Sequence, residues 1–175
     1  LRDWNSNMMR RQGRGRGAGE GAKREFEQKI VEIKRVTRVV AGGKRMRFRA
    51  LVVIGDKKGR VGIGIRKGMD VSEAVNKAVN SAKKTMISVN LVNSTIPHEI
   101  KMKYKSSVVF LKPAQPGTGV IAGGSIRQVV DLAGIKNVLS KMLGSSNKVN
   151  NVMATYLALG KMRTKEAVAN IRSNQ

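Results

Sequence analysis

The sequence predicts an α+β protein of two small domains, an N-terminal β-β-β-α unit and a C-terminal β-β-α-β-α sandwich. Three observations lead to this class. Between Ile30 and Ile65, β-branched residues alternate with polar ones at period two, and the runs are separated by short glycine-bearing turns. A capped segment of helical spacing follows. Past the polar stretch "NLVNS", residues 90–94, strand-like alternation begins again and leads into two helices stopped by glycine.

Taken in order, "RRQGRGRGAGEGAKRE", residues 10–25, alternates arginine with glycine and has too little apolar surface to pack. It reads as a cationic arm over 1–24, flexible when free: either a solvated tail giving general affinity or a specific contact, with Trp4 able to stack on a base. The first domain, 25–90, opens with "IVEIKRVTRVV", turns at "AGGK", continues in "RMRFRALVVI", turns at "GDKKG" and ends its third strand in "VGIGI". A helix then starts behind Asp70, with Glu73 three residues on. Val71, Ala74, Val75, Ala78, Val79, Ala82 and Met86 recur at helical spacing, and Lys83 and Lys84 stand near its negative end.

The second domain, 91–162, starts with "IPHEIKMKYK", where Ile100, Met102 and Tyr104 alternate with Lys101, Lys103 and Lys105. "SVVFL" continues the sheet. A glycine-rich loop leads to a helix from Gly124 to Ala133 stopped at Gly134. A strand near Lys136 to Leu143 and a helix from Lys148 to Leu159, ended by Gly160, complete the unit. The remainder, 163–175, is expected to be a short helix capped by Thr164 and a tail.

Composition narrows the function. Thirty-five Lys and Arg against eleven Asp and Glu give a formal charge of +24, so the partner is expected to be a polyanion, and nucleic acid above all. The regional nets are +5 over 1–24, +10 over 25–90 and +9 over 91–175, so no single tail carries the charge. A folded body that meets phosphate with several faces fits better than a neutral enzyme with a basic tail. Without cysteine and with one histidine, His98, the chain has no disulfide framework, zinc finger or thiol chemistry, which suits the cytosol. Uncharged runs such as 113–126 are too short and too rich in glycine and proline to span a bilayer, so no membrane is expected.

Two strands carry the candidate nucleic-acid site. In "KRMRFRA", Arg45, Arg47 and Arg49 share one face and Met46, Phe48 and Ala50 the other. Three guanidiniums in a row suit phosphate. In "GRVGIGIRKG", Val61, Ile63 and Ile65 are expected to pack on the helix. Arg60, Gly62, Gly64 and Arg66 should then form an open face of bare backbone that admits a phosphate-sugar chain or another protein element. With Gly42, Gly43, Lys44, Lys57, Lys58 and Lys67, these residues could meet roughly 6 to 10 phosphates. The scarcity of aromatics favours folded or helical RNA, bound by shape and backbone.

The loop "PAQPGTGVIAGGSIRQVV", residues 113–130, could cradle a phosphate ahead of a helix. Its Gly117, Gly119 and Gly123 match neither nucleotide-loop spacing, and no acidic residue lies between Glu99 and Asp131 to hold a metal or act as base. Backbone contact with RNA or protein is therefore preferred to phosphoryl transfer. "GGSIR" is no nucleophile elbow, His98 lacks a partner in sequence, and no catalytic residue, metal or cofactor is expected.

"VVAGGKRMRFRALVVIGDKKGRVGIG", "TIPHEI" and "KPAQPGTGVIAGGSIRQVVDLAGIKNVLSKMLGSSN" together closely resemble the bacterial-type ribosomal S-five family, over about 25–169. The resemblance implies a double-stranded-RNA-binding-like first domain and a second domain whose fold is shared with some kinases. It also implies a non-enzymatic place in the cytoplasmic ribosome: binding 16S-type rRNA, contacting ribosomal proteins S-four and S-eight, lining the mRNA entrance and influencing decoding accuracy, with no homo-oligomer in the working state. By motif, Gly42, Gly43 and Lys44 fall in the family's segment near the head-body hinge. Gly117, Gly119, Gly123, Gly124 and Arg127 fall on the S-four side. Lys148 and "IRKGMDVSEA" depart from the family pattern. A free RNA chaperone or regulator is the alternative, and a small-molecule phosphotransferase a more distant one.

Overall fold

A computed structural model describes residues 26–164 together with 169, 171 and 172; the Arg/Gly arm and most of the expected final helix lie outside the described residues. Four strands, β1 (Glu27–Val40), β2 (Gly43–Gly55), β3 (Arg60–Gly68) and β4 (Met86–Ser88), form an antiparallel sheet in that order. Helix α1 (Val71–Lys84) crosses one face. A second sheet has the order β5 (Ile100–Tyr104), β6 (Ser107–Pro113), β8 (Val138–Gly144), β7 (Val120–Ile121), with β7 parallel to β8. Helices α2 (Gly124–Ala133) and α3 (Lys148–Lys161) touch both sheets.

The predicted elements are present, with two additions and one extension. Strands β4 and β7 are three and two residues long, too short to show a period. Helix α3 runs through Gly160 to Lys161; a Cβ at Gly160 would reach Ile87 of β4 at ordinary packing distance. The caps work as the sequence suggests. Asp70 accepts from the Val71 amide and the Ser72 hydroxyl, each at 2.7 Å, and Glu73 reaches back to the Met69 amide at 2.6 Å. Asn147 accepts from the Val149 amide at 3.1 Å at the start of α3.

The glycines of β3 require a correction. Gly62 and Gly64 do not form an open face; with Gly68 they lie under α1. A Cβ on Gly62 would run into the Ala82 carbonyl and one on Gly64 into the Ala78 carbonyl, and one on Gly68 would lie 2.6 Å from the Ala74 amide nitrogen. Small residues on both sides let strand and helix backbones touch: Ala74, Ala78 and Ala82 are buried against Ala50, Val52 and Ile54. The face of Val61, Ile63 and Ile65 instead meets the second half of the chain. Leu51, Val53, Val61 and Ile63 join Val109, Leu111, Val129, Leu132 and Leu159 in one core shared by both halves. Alternation says which residues share a face, but not which neighbour covers it.

Backbone contacts tighten this join. The Lys57 amide donates to the Leu132 carbonyl and the Gly59 amide to that of Ala133, both at 3.0 Å. Gly134, in the left-handed region at φ 86°, leaves no room for a Cβ against the Lys57 carbonyl. Tyr156 donates to the Thr85 carbonyl at 2.6 Å, and Asn90 to that of Met162 at 3.0 Å. Burial raises the pKa of the Tyr156 hydroxyl.

Candidate nucleic-acid interface

Strands β1 and β2 outrun the rest of their sheet. β2 pairs with β3 only from Phe48 onward, so Val36↔Arg47 to Val40↔Gly43 form a two-stranded ribbon that projects past α1. Its tip turns at Gly42 and Gly43, with φ 86° and 150°, and a Cβ at either position would point into open space.

Register places the cations. Arg45 pairs with Arg38, Arg47 with Val36, and Arg49 with Lys34 on one side and Lys67 on the other. Paired residues share a face, so Lys34, Arg38, Arg45, Arg47, Arg49 and Lys67 all project from the side of the sheet that holds Leu51 and Val53. The second half covers only the apolar end of that side. On the uncovered end, Val36, Thr37, Arg38, Val40, Arg45, Arg47 and Lys67 line a shallow concavity of about 300 Å³. Arg38, Arg45, Arg47 and Lys67 are exposed there. Such a surface offers several guanidinium forks at close spacing to a phosphate chain, with apolar floor between them.

The remaining predicted contacts lie elsewhere. Lys57, Lys58 and Arg60 occupy the turn at the far end of β2, about 30 Å from Arg47 at ~3.3 Å per residue. That turn is occupied by internal bonds. Lys57 pairs with Glu27 at 2.7 Å; Arg60 pairs with Asp56 at 2.7 Å and lies 5.4 Å from the Phe26 ring centroid. Burial pushes the Asp56 carboxyl up, but hydrogen bonds from the Arg60 side chain and the Lys58 and Arg60 amides outweigh it and hold its pKa below 3.8. Arg66, paired with Ala50, projects on the α1 side.

The 113–130 loop is shaped by a residue the sequence did not single out. Asn137, buried, accepts from the Gly117 and Gly119 amides, each at 3.1 Å, while its own carbonyl accepts from Thr95 at 2.6 Å. Those two amides are thereby turned inward rather than toward a phosphate. Arg127 donates to the Val120 carbonyl at 2.8 Å, and Gly123 backs on Met142. Gly117, Gly119 and Gly124 have open space where a Cβ would stand, so the outer rim of the loop is bare backbone.

Glu32 was also missed. A β-bulge between Ile30 and Glu32 turns Val31 into the shared core, and the Glu32 carboxylate lies among Lys34, Arg49 and Lys148 at 3.4, 3.7 and 3.7 Å. A lone acid inside "VEIKRVTR" was the available signal. Among the described residues, no three His, Cys, Asp or Glu side chains gather to hold a metal ion, and His98 is exposed. No described helix is long and apolar enough to cross a membrane.

Comparison with known proteins adds family profiles and relatives. The profile described as "Ribosomal protein S5, N-terminal domain" matches residues 26–90, and that described as "Ribosomal protein S5, C-terminal domain" matches residues 102–172. The small ribosomal subunit protein uS5 of Thermotoga neapolitana is 50% identical over 148 residues, covering 85% of this chain and 83% of the relative. Those of Thermotoga maritima and Thermotoga petrophila are 48% and 49% identical over the same shares.

Proposed function

The chain belongs to the ribosomal protein S5 family, and from that premise we propose that it is a non-enzymatic constituent of the small ribosomal subunit that grips rRNA with the projecting ribbon of β1 and β2. The observation that carries the reading is the uncovered cationic end of that ribbon. Gly42, Gly43 and Lys44 form its tip, Arg45, Arg47 and Lys67 line its concavity, and Arg49 follows on the same face. The RNA surface excludes Gly62 and Gly64, which lie beneath α1. It also excludes Lys57, Lys58 and Arg60, at the far end of β2, and Arg66, on the α1 face.

A ribbon presenting arginines on one face binds 16S-type rRNA by phosphate and shape, with little base reading. The bare rim at Gly117, Gly119 and Gly124, with Gly123 seated on Met142 and Arg127 holding the loop in place, suits a protein neighbour. By family this is S-four, with S-eight as a second contact. A position beside the mRNA entrance and an influence on decoding accuracy belong to the same proposal, on family resemblance.

The test is co-sedimentation with small subunits at moderate salt, together with chemical protection of their rRNA. Stoichiometric recovery and a localised footprint are the expected results. A protein that stays in the free fraction while still binding RNA would indicate a free chaperone or regulator instead.

A further inference from the structure

From the arrangement around Glu32 we infer that a second phosphate-binding site lies across the join between the two halves, formed by Lys34 and Arg49 of the first and Lys148 of the second, with Glu32 as the residue that positions them. This rests on the RNA-binding reading and extends it to a surface that neither half forms alone.

The first observation is an apparent misfit. Lys148 is the first residue of α3, where the helix dipole is positive and a lysine is disfavoured; proline is the residue that suits this position. A cation there needs a compensating anion, and Glu32, from the other half of the chain, is 3.7 Å from its ammonium group.

The second is the exposure of the partners. The Glu32 side chain is only 11% exposed, whereas those of Lys34 and Lys148 are 59% and 55% exposed and that of Arg49 is 31% exposed. Solvent therefore meets three cationic heads over one covered carboxylate, a local excess of two positive charges. Separations of 3.4 to 3.7 Å are those of ion pairs rather than short hydrogen bonds. The donors of all three heads thus remain able to turn outward to a phosphate without breaking the cluster.

The third is continuity. Arg49 follows Arg45 and Arg47 on the same strand face and pairs with Lys67, so the cluster extends the row of the ribbon toward the second half. A phosphate chain lying along the ribbon would reach Lys148 next.

Two substitutions in the full chain test this by titration with small-subunit rRNA fragments over a range of salt. Lys148→Pro removes the cation while keeping a good first helical residue, since Asn147 before it is already extended at φ −62° and ψ 114°. Its thermal midpoint should be unchanged or higher. Its affinity should fall about three- to tenfold, and its salt slope should shrink by about 0.7 to 0.9, the share of one phosphate. Glu32→Gln decides between positioning and simple repulsion. If Glu32 gathers the cations, affinity falls although a negative charge has been removed; if it merely opposes RNA, affinity rises.

Wild-type affinity and slope for Lys148→Pro, or tighter binding by Glu32→Gln, would overturn the inference. The double variant Arg45→Ala/Arg47→Ala, measured alongside, separates the two levels. If it is weakened while Lys148→Pro is not, only the site at the join fails. If it also binds like wild type, the RNA-binding reading fails with it.

Discussion

Strand β2 differs from one end to the other on a single face. Toward its start, Arg45 and Arg47 project into an open concavity and Arg49 follows on the same face; farther along, Leu51 and Val53 project from that face into the core shared by both halves. The change falls between residues 49 and 51, where cover by the second half begins. The side chains follow what covers them. Apolar residues stand where another layer removes water, and guanidiniums where none does. On the proposed reading one strand is both structural member and binding surface, and the two roles should separate under substitution.

The largest effect is expected on the opposite face. Gly64→Val would drive a branched side chain into the Ala78 carbonyl, which is backbone and cannot move aside. A loss of about 3 kcal/mol or more, enough to leave much of the chain unfolded, should appear in denaturant titration. Had Gly64 lain on an open RNA face, its substitution would instead spare folding and weaken binding.

Leu51→Ala probes the apolar end. Deleting a fully buried leucine from the shared core should cost about 3 kcal/mol, while the salt slope of rRNA binding, measured below the unfolding transition, stays at its wild-type value. The cationic end should show the reverse. Arg45→Ala/Arg47→Ala/Arg49→Ala should lower rRNA affinity roughly 100-fold and flatten the salt slope by about 2 to 3, with a stability change within about 1 kcal/mol.

The smallest effect belongs to the far turn. Because the Asp56 pKa is lowered on folding, its ionised form stabilises the fold above pH 3.8, and that contribution is lost as the pH falls through the depressed value. Asp56→Asn should therefore cost about 1 kcal/mol or less near neutrality and should reduce the acid-induced loss of stability below about pH 4. Its rRNA affinity should not change, since that turn lies outside the proposed surface. Thermal unfolding as a function of pH checks the first point.

Much of this was legible in the sequence because each long element carries its own signal. The alternation of β1 to β3, the Asp70 cap with Glu73, and the stop at Gly134 are local and need no tertiary knowledge. The row of Arg45, Arg47 and Arg49 was readable for the same reason: side chains two apart on a strand share a face. The partner of each face was not readable. Gly62 and Gly64 looked like open backbone because their contact, the alanine stripe of α1, is made across space, and a glycine facing a helix reads the same as one facing RNA. Glu32 and Asn137 were missed on similar grounds. Each works through residues far along the chain, Lys148 in one case and Gly117 and Gly119 in the other.

The most direct measurement is residue-resolved arginine modification of the full chain, free and bound to small-subunit rRNA. Binding through the ribbon predicts that Arg45 and Arg47 become shielded while Arg60, at the far turn, reacts as before. Shielding of Arg60 with Arg45 and Arg47 still reactive would contradict it.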